Sequence, residues 1–231
     1  MGSNPVGADM KKDFPPVDYI IGWVPFLNCR IDLRYRPMIP RPETEYWTEK
    51  AIDEIKNNSP RARRGADVFA GSGAVGLAIL KSVKKVKVDF YEIDKKLIEQ
   101  IRLNLKLNRI SPSRYRIFNA DIFGNKKIKY DFILANPPYI AKSRIDKVQK
   151  SVLKYEPHLA LFGGAQGLFF IKKFLKSAKS RLNPDGLIFM EFDSFQKKPI
   201  EKMLKQYKYR NWQFLKDQFN RWRCLMVKNL L

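Results

Sequence analysis

The chain predicts an α/β protein whose mostly parallel sheet carries helices on both faces. Three observations carry that class. From about residue 64 onward, short apolar runs of strand character alternate with segments of helical period. The first of those runs ends in glycines that open a helix, and the fourth ends on two prolines, which a central strand does not tolerate. A length of 231 residues with 45% apolar composition suits one large core.

The elements follow in order. Residues 1–45 form a short N-terminal extension, proline-rich and irregular, with one extended apolar piece at 19–27; the main domain spans 46–231. A buried strand at 66–70 runs into the glycines of 71–76, and a helix starts at 74. A second strand at 86–92 alternates to its end at Glu92. Asp94 caps the next helix, whose Leu97, Ile98, Ile101 and Leu105 share one face. Strands at 114–121 and 130–136 precede a helix at 167–182 with an apolar stripe of Leu168, Ile171, Leu175, Ala178 and Leu182. Asn183-Pro184-Asp185-Gly186 stops that helix and turns the chain. A fifth strand at 187–192, a helix at 195–207 and a hairpin around Asp217 to Asn220 complete seven strands, the last antiparallel. Trp212, Phe214, Phe219 and Trp222 are read as hairpin core rather than as a base-stacking platform, and His158 as structural.

Composition narrows the partners. A net charge of +22 points to an anionic partner, nucleic acid or the ribosome among them, or else to a solvated lysine-rich surface. Residues 197–228 hold ten Lys or Arg against Glu201 and Asp217, and residues 142–154 hold five against Asp146. Lysines break every apolar run before membrane length, and the first fourteen residues lack the apolar stretch of a secretory signal, so a cytoplasmic protein without a membrane partner is expected. Cys29 and Cys224 stand alone, which argues against a metal site or a disulfide framework.

In such sheets the ligand sits beyond the carboxyl ends of the strands, and the unusual residues gather there. Gly71, Gly73 and Gly76 make a tight turn that also permits close approach of a ligand. Glu92, ending the next strand, can accept both hydroxyls of a ribose, or be a solvated strand-end acid. Asp121 can accept from the amino group of adenine, or cap its own turn. No lysine follows the glycines as in an ATP-binding loop, and no second nucleotide half serves a dinucleotide. Asn136-Pro137-Pro138-Tyr139 then presents a polar amide on a stiff turn beside an aromatic ring, suited to gripping a planar nitrogen group.

Taken together, the glycine loop, Glu92 and Asn136 to Tyr139 resemble Rossmann-like, S-adenosylmethionine-dependent methyltransferases acting on planar nitrogen. Residues 16–45, ending in Pro-Arg-Pro-Glu-Thr-Glu, and residues 155–168, "YEPHLALFGGAQGL", resemble the HemK/PrmC-type glutamine methyltransferases. The resemblance implies methylation of the glutamine in the Gly-Gly-Gln loop of peptide chain release factors by a monomer. An RNA or DNA adenine methyltransferase and a ribosomal-protein glutamine methyltransferase stay open as alternatives. It implies Asn136, Pro137 and Tyr139 as catalytic. Cofactor contacts fall on Asp67, Phe69, Ala70, Gly71, Gly73, Glu92, Asp121, Ile122 and Asn136. Substrate contacts fall on Asn136 to Tyr139, with Arg41 and Glu43 in a segment that covers the site. Two departures stand out. Phe69 occupies a position where the family usually has Gly, and the family's N-terminal helical domain is reduced to about fifteen residues.

Overall fold

A computed structural model of the chain describes residues 14–57 and 63–229. The leader reading of the first fourteen residues lies, apart from Phe14, outside the described residues. The N-terminal segment forms α1 (Val17–Ile21) and a hairpin of β1 (Trp23–Phe26) and β2 (Cys29–Asp32). Then come α2 (Pro42–Asn57), β3 (Arg64–Val68), α3 (Ala74–Ser82), β4 (Lys87–Glu92), α4 (Lys95–Leu107), β5 (Tyr115–Asn119) and β6 (Tyr130–Ala135). Short helices α5 (Lys150–Tyr155) and α6 (His158–Leu161) lead to α7 (Phe169–Ala178). The chain closes with β7 (Leu182–Glu191), α8 (Lys197–Gln206), β8 (Trp212–Lys216) and β9 (Trp222–Lys228).

Seven strands form one sheet in the order β5-β4-β3-β6-β7-β9-β8. β3 to β7 pair in parallel, and β9 runs antiparallel to both of its neighbours, as expected for the last strand. Chain order reverses between β3 and β6, so a crevice opens where Phe69 to Gly71 and Asn136 leave their strands. Alternating side chains send Phe90, Phe132 and Phe189 into a core under α3 and α4. Tyr91, Ile133 and Met190 face a second core under α7 and α8.

Three local features differ from the sequence expectation. The extended piece at 19–27 is a one-turn helix and a strand divided by Gly22, whose φ of 84° closes α1 on the Asp18 carbonyl. The stop at Asn183 to Gly186 is a bulge inside β7: the pairing jumps from Tyr130 with Leu182 to Phe132 with Leu187. The turn chemistry there is used within the strand, since Asp185 stands at φ 58° and donates its N–H to the Asn229 carbonyl at 2.8 Å. Phe219 is 59% exposed at the hairpin tip rather than core, whereas Phe214 packs against Phe192.

The segment before α2 is fastened by polar side chains as well as by apolar contact. Gln100 and Asn104 on α4 and Asn108 at its C-cap, one turn apart, are buried. Their carbonyl oxygens accept the N–H of Tyr35 at 2.8 Å, Asp32 at 2.8 Å and Arg30 at 3.0 Å. Asp94 caps α4 as expected, accepting from the Lys96 N–H at 2.8 Å. α2 is thereby carried to the carboxyl edge of the sheet, where Thr44 and Trp47 meet Glu191 of β7.

Candidate active site

Two cavities meet at that edge, and Asn136, Met38 and Ala160 line both. Asp67, Phe69, Ala70, Gly71, Glu92, Asp121, Ile122 and Pro138 line the first, and Arg41, Pro137 and Tyr139 line the second. Gly73 lines neither; at φ 78° it shapes the turn, its N–H reaching the Ala70 carbonyl at 2.7 Å. Glu43 sits in the first turn of α2 and lines neither cavity.

The first cavity is apolar with two buried acids in its wall. Glu92 is buried, and its oxygens accept the N–H groups of Gly71 at 2.8 Å, Ile93 at 2.8 Å and Asp94 at 2.9 Å. Burial pushes its carboxyl up, and those three N–H groups oppose the rise. Asp67 accepts the Gly76 N–H at 2.8 Å, and burial pushes it up to about 8. Among the described residues only backbone N–H groups are bonded to these two acids. Asp121, which also lines this cavity, is paired with Lys173. Phe69 holds φ 61°, which costs a non-glycine residue about 1–2 kcal/mol. Its ring offsets that cost by packing edge-on against Phe170, with centroids 6.0 Å apart, and against Phe174 at 6.3 Å.

At the neck, Asn136 Nδ2 lies 3.4 Å from Thr44 Oγ1, and the Thr44 hydroxyl donates to Glu191 Oε2 at 2.6 Å. The Trp47 indole donates to the same oxygen at 2.7 Å, and Tyr139 to Oε1 at 2.8 Å. Burial pushes Glu191 up, against the pull of these three donors. The same burial, with Glu191 beside it, pushes the Tyr139 hydroxyl up as well.

The sequence blocks singled out above assemble around this neck. Gly163 donates to the Ile140 carbonyl at 2.9 Å, and Ile140 donates to Leu161 at 2.9 Å. The Gln196 amide donates to the Tyr139 carbonyl at 2.9 Å and the Gly167 carbonyl at 3.0 Å. A Cβ on Gly167 would lie 2.0 Å from the Tyr139 oxygen, so only glycine lets the two backbones touch. Glu156 accepts from Arg41 and from the Ile39 N–H, tying the segment before α2 to the block at 155–168. His158 is structural, its Nε2 2.7 Å from the Leu153 carbonyl.

Sequence reasoning missed Glu191, Thr44, Gln196, Arg144, Phe195 and Arg223; the last three, with Lys147, complete the wall of the second cavity. A signal existed for Glu191, an acid that ends its strand directly after the apolar run Leu187 to Met190, as Glu92 ends β4. Thr44 stood inside the Pro-Arg-Pro-Glu-Thr-Glu run read as covering the site, and none existed for the others.

The methyltransferase small domain model matches residues 48–165. Fold and site define an S-adenosylmethionine-dependent methyltransferase of Rossmann-like architecture. A release factor glutamine methyltransferase of Clostridium botulinum is 30% identical over 212 residues, covering 90% of this chain and 74% of its own. The chain belongs to the release factor glutamine methyltransferase family. A Pyrococcus furiosus methyltransferase shares the fold at TM-score 0.65 and 19% identity, over 93% of this chain and 94% of its own. So does a Thermus thermophilus 16S rRNA guanine methyltransferase solved with AdoMet and guanosine, at TM-score 0.59 and 19% identity, over 83% and 44%. The first cavity fits the cofactor chemically: two buried acids without cationic partners suit a ligand bearing positive charge and ribose hydroxyls.

Proposed function

We propose that this enzyme methylates the side-chain amide of the glutamine in the Gly-Gly-Gln loop of a peptide chain release factor. One observation carries the reading: Asn136 lines the cofactor cavity and the neighbouring cavity at once, with Pro137 and Tyr139 in the second. A side chain there reaches a group held between donor and substrate.

S-adenosylmethionine supplies a methyl group on a positively charged sulfur. An amide nitrogen is a poor nucleophile because its lone pair is delocalised into the carbonyl. Asn136 accepts one amide N–H through its side-chain oxygen and the Pro137 carbonyl accepts the other, which aims the lone pair and favours the positive charge growing on nitrogen. The prolines fix that carbonyl's direction in advance, and the Tyr139 ring covers the planar amide. No strong base is required, because the excess proton leaves after transfer. Glu92 would hold the ribose and Asp67 would offer a carboxyl to the cofactor's positive charge, with Phe69, Ala70, Gly71, Asp121 and Ile122 in the surrounding wall.

Arg144 and Lys147 are exposed at the second cavity, whereas Arg41 there is paired with Glu156 and Arg223 with Asp217; the two exposed cations steer an acidic protein face or a ribosome-bound substrate toward it. One chain lines both cavities, so the proposed reaction needs no second copy, and a monomer is proposed. Among the described residues no helix is long and apolar enough to cross a membrane. A substrate of the translation machinery supports a cytoplasmic site of action.

The test is label transfer from S-adenosylmethionine to a cognate release factor, beside a factor whose Gly-Gly-Gln glutamine is replaced, ribosomal RNA and DNA. Label on the intact factor alone bears the reading out. Label on nucleic acid alone hands the site to adenine.

A further inference from the structure

We infer that Thr44 and Glu191 form a relay that fixes which end of the Asn136 amide faces the substrate, making Thr44 a positioning residue. The inference rests on the reading that Asn136 accepts a hydrogen bond from the substrate nitrogen. The two ends of an asparagine amide have nearly the same shape and opposite hydrogen-bonding character. Turned by 180°, Asn136 would set its own –NH2 against the substrate –NH2, donor against donor. Something must decide the orientation before the substrate arrives.

The decision comes from Glu191. Its Oε2 meets two donors, the Trp47 indole at 2.7 Å and the Thr44 hydroxyl at 2.6 Å. An indole N–H can only donate, and the oxygens of an ionised Glu191 can only accept, so the single proton of Thr44 goes to Oε2. A proton taken up on Oε1, where the Tyr139 hydroxyl at 2.8 Å can accept it, leaves that arrangement intact. Thr44 therefore turns a lone pair toward Asn136, and only the Nδ2 end complements it, at 3.4 Å. The contact is long, as such bonds often are before substrate binds. Thr44, Trp47 and Glu191 are each at most 3% exposed, so water does not compete for these positions. The Pro-Arg-Pro-Glu-Thr-Glu run thus gains a role beyond covering the site: it starts the helix that delivers Thr44 to the neck.

The test compares Thr44→Val, which keeps the shape and removes the hydroxyl, with Thr44→Ser, which keeps the hydroxyl. With a release factor as substrate, Val is expected to lower kcat roughly ten- to hundredfold, with the KM for S-adenosylmethionine, whose cavity Thr44 also lines, moving no more than about threefold, and Ser to stay within about threefold of wild type. A second readout needs no substrate: the side-chain amide resonances of Asn136 in the full chain labelled with 15N-asparagine, assigned by their loss in Asn136→Ala. They should shift and lose exchange protection in Val and hold in Ser. Val matching wild type in both readouts overturns the relay, and so does equal damage by Val and Ser, which would mean packing alone. If wild type fails to methylate the factor, the proposed function falls, and the resonances still decide the relay.

Discussion

The Tyr139 hydroxyl donates to Glu191 Oε1 at 2.8 Å, so the ring of the Asn-Pro-Pro-Tyr turn is tethered to the end of β7. Tyr139→Phe keeps the ring and removes one of three donors to a buried carboxylate. We expect a loss of about 1–3 kcal/mol in urea unfolding at neutral pH. An unchanged unfolding midpoint would mean the tether holds nothing.

Glu191→Gln separates the two arms of the same acid. The Trp47 N–H can only donate, so the new amide places its oxygen at the Oε2 position and its –NH2 toward Tyr139, whose hydroxyl then accepts. Thr44 still donates. The variant should therefore lower kcat less than Thr44→Val does, and steady-state kinetics on both variants check the order.

Asp67 makes cofactor binding and stability depend on pH. Burial raises its folded value to about 8, above the unfolded carboxylate value, so the folded chain without cofactor binds more protons between those values. The stabilising contribution is complete below the unfolded value and fades as pH rises through about 8. A cationic donor favours the ionised acid, so binding should release a proton and tighten from pH 6 to pH 8. Calorimetry in two buffers of different ionisation enthalpy measures that proton. Asp67→Asn should abolish its release, and an identical release in the variant would remove Asp67 from the effect.

Glu92→Gln keeps the volume of the side chain and replaces one acceptor oxygen by a donor. A lost charge-assisted bond to the ribose is worth about 1.5–3 kcal/mol, or roughly ten- to hundredfold in affinity. Titration with S-adenosylmethionine checks it, and undiminished affinity would take Glu92 out of the site.

Much of this site was legible because its residues break local rules. An acid at a strand end about twenty residues after a glycine turn, and prolines closing a central strand, are not what packing asks for, so Glu92 and Asn136 stood out. The sheet was legible from alternation alone. What stayed hidden is what distant segments do to one another. Thr44 stood in a run read as covering the site, but its bond to Glu191 shows only once α2 crosses to β7, and Gln196 looks like any polar residue until it meets the Tyr139 carbonyl. The bulge at Asn183 to Gly186 carries the residues of a turn, and only pairing with Tyr130 and Phe132 reveals the strand.

Gly167→Ala probes the buttress behind the turn. At φ 71°, with a Cβ 2.0 Å from the Tyr139 oxygen, alanine loses about 1–2 kcal/mol to backbone conformation alone, and the clash adds to it. A lower thermal midpoint and a lower kcat are expected together. A variant as stable and active as wild type would show that the two backbones do not need their contact.

The central claim is that Asn136 acts on the reacting amide and not on the cofactor. Single-turnover methylation of a release factor by Asn136→Ala at saturating S-adenosylmethionine, beside cofactor affinity by calorimetry, tests it most directly. The rate should fall by about two orders of magnitude or more, with affinity held within a few-fold. A rate that survives, or one that falls only as far as cofactor binding falls, would contradict it.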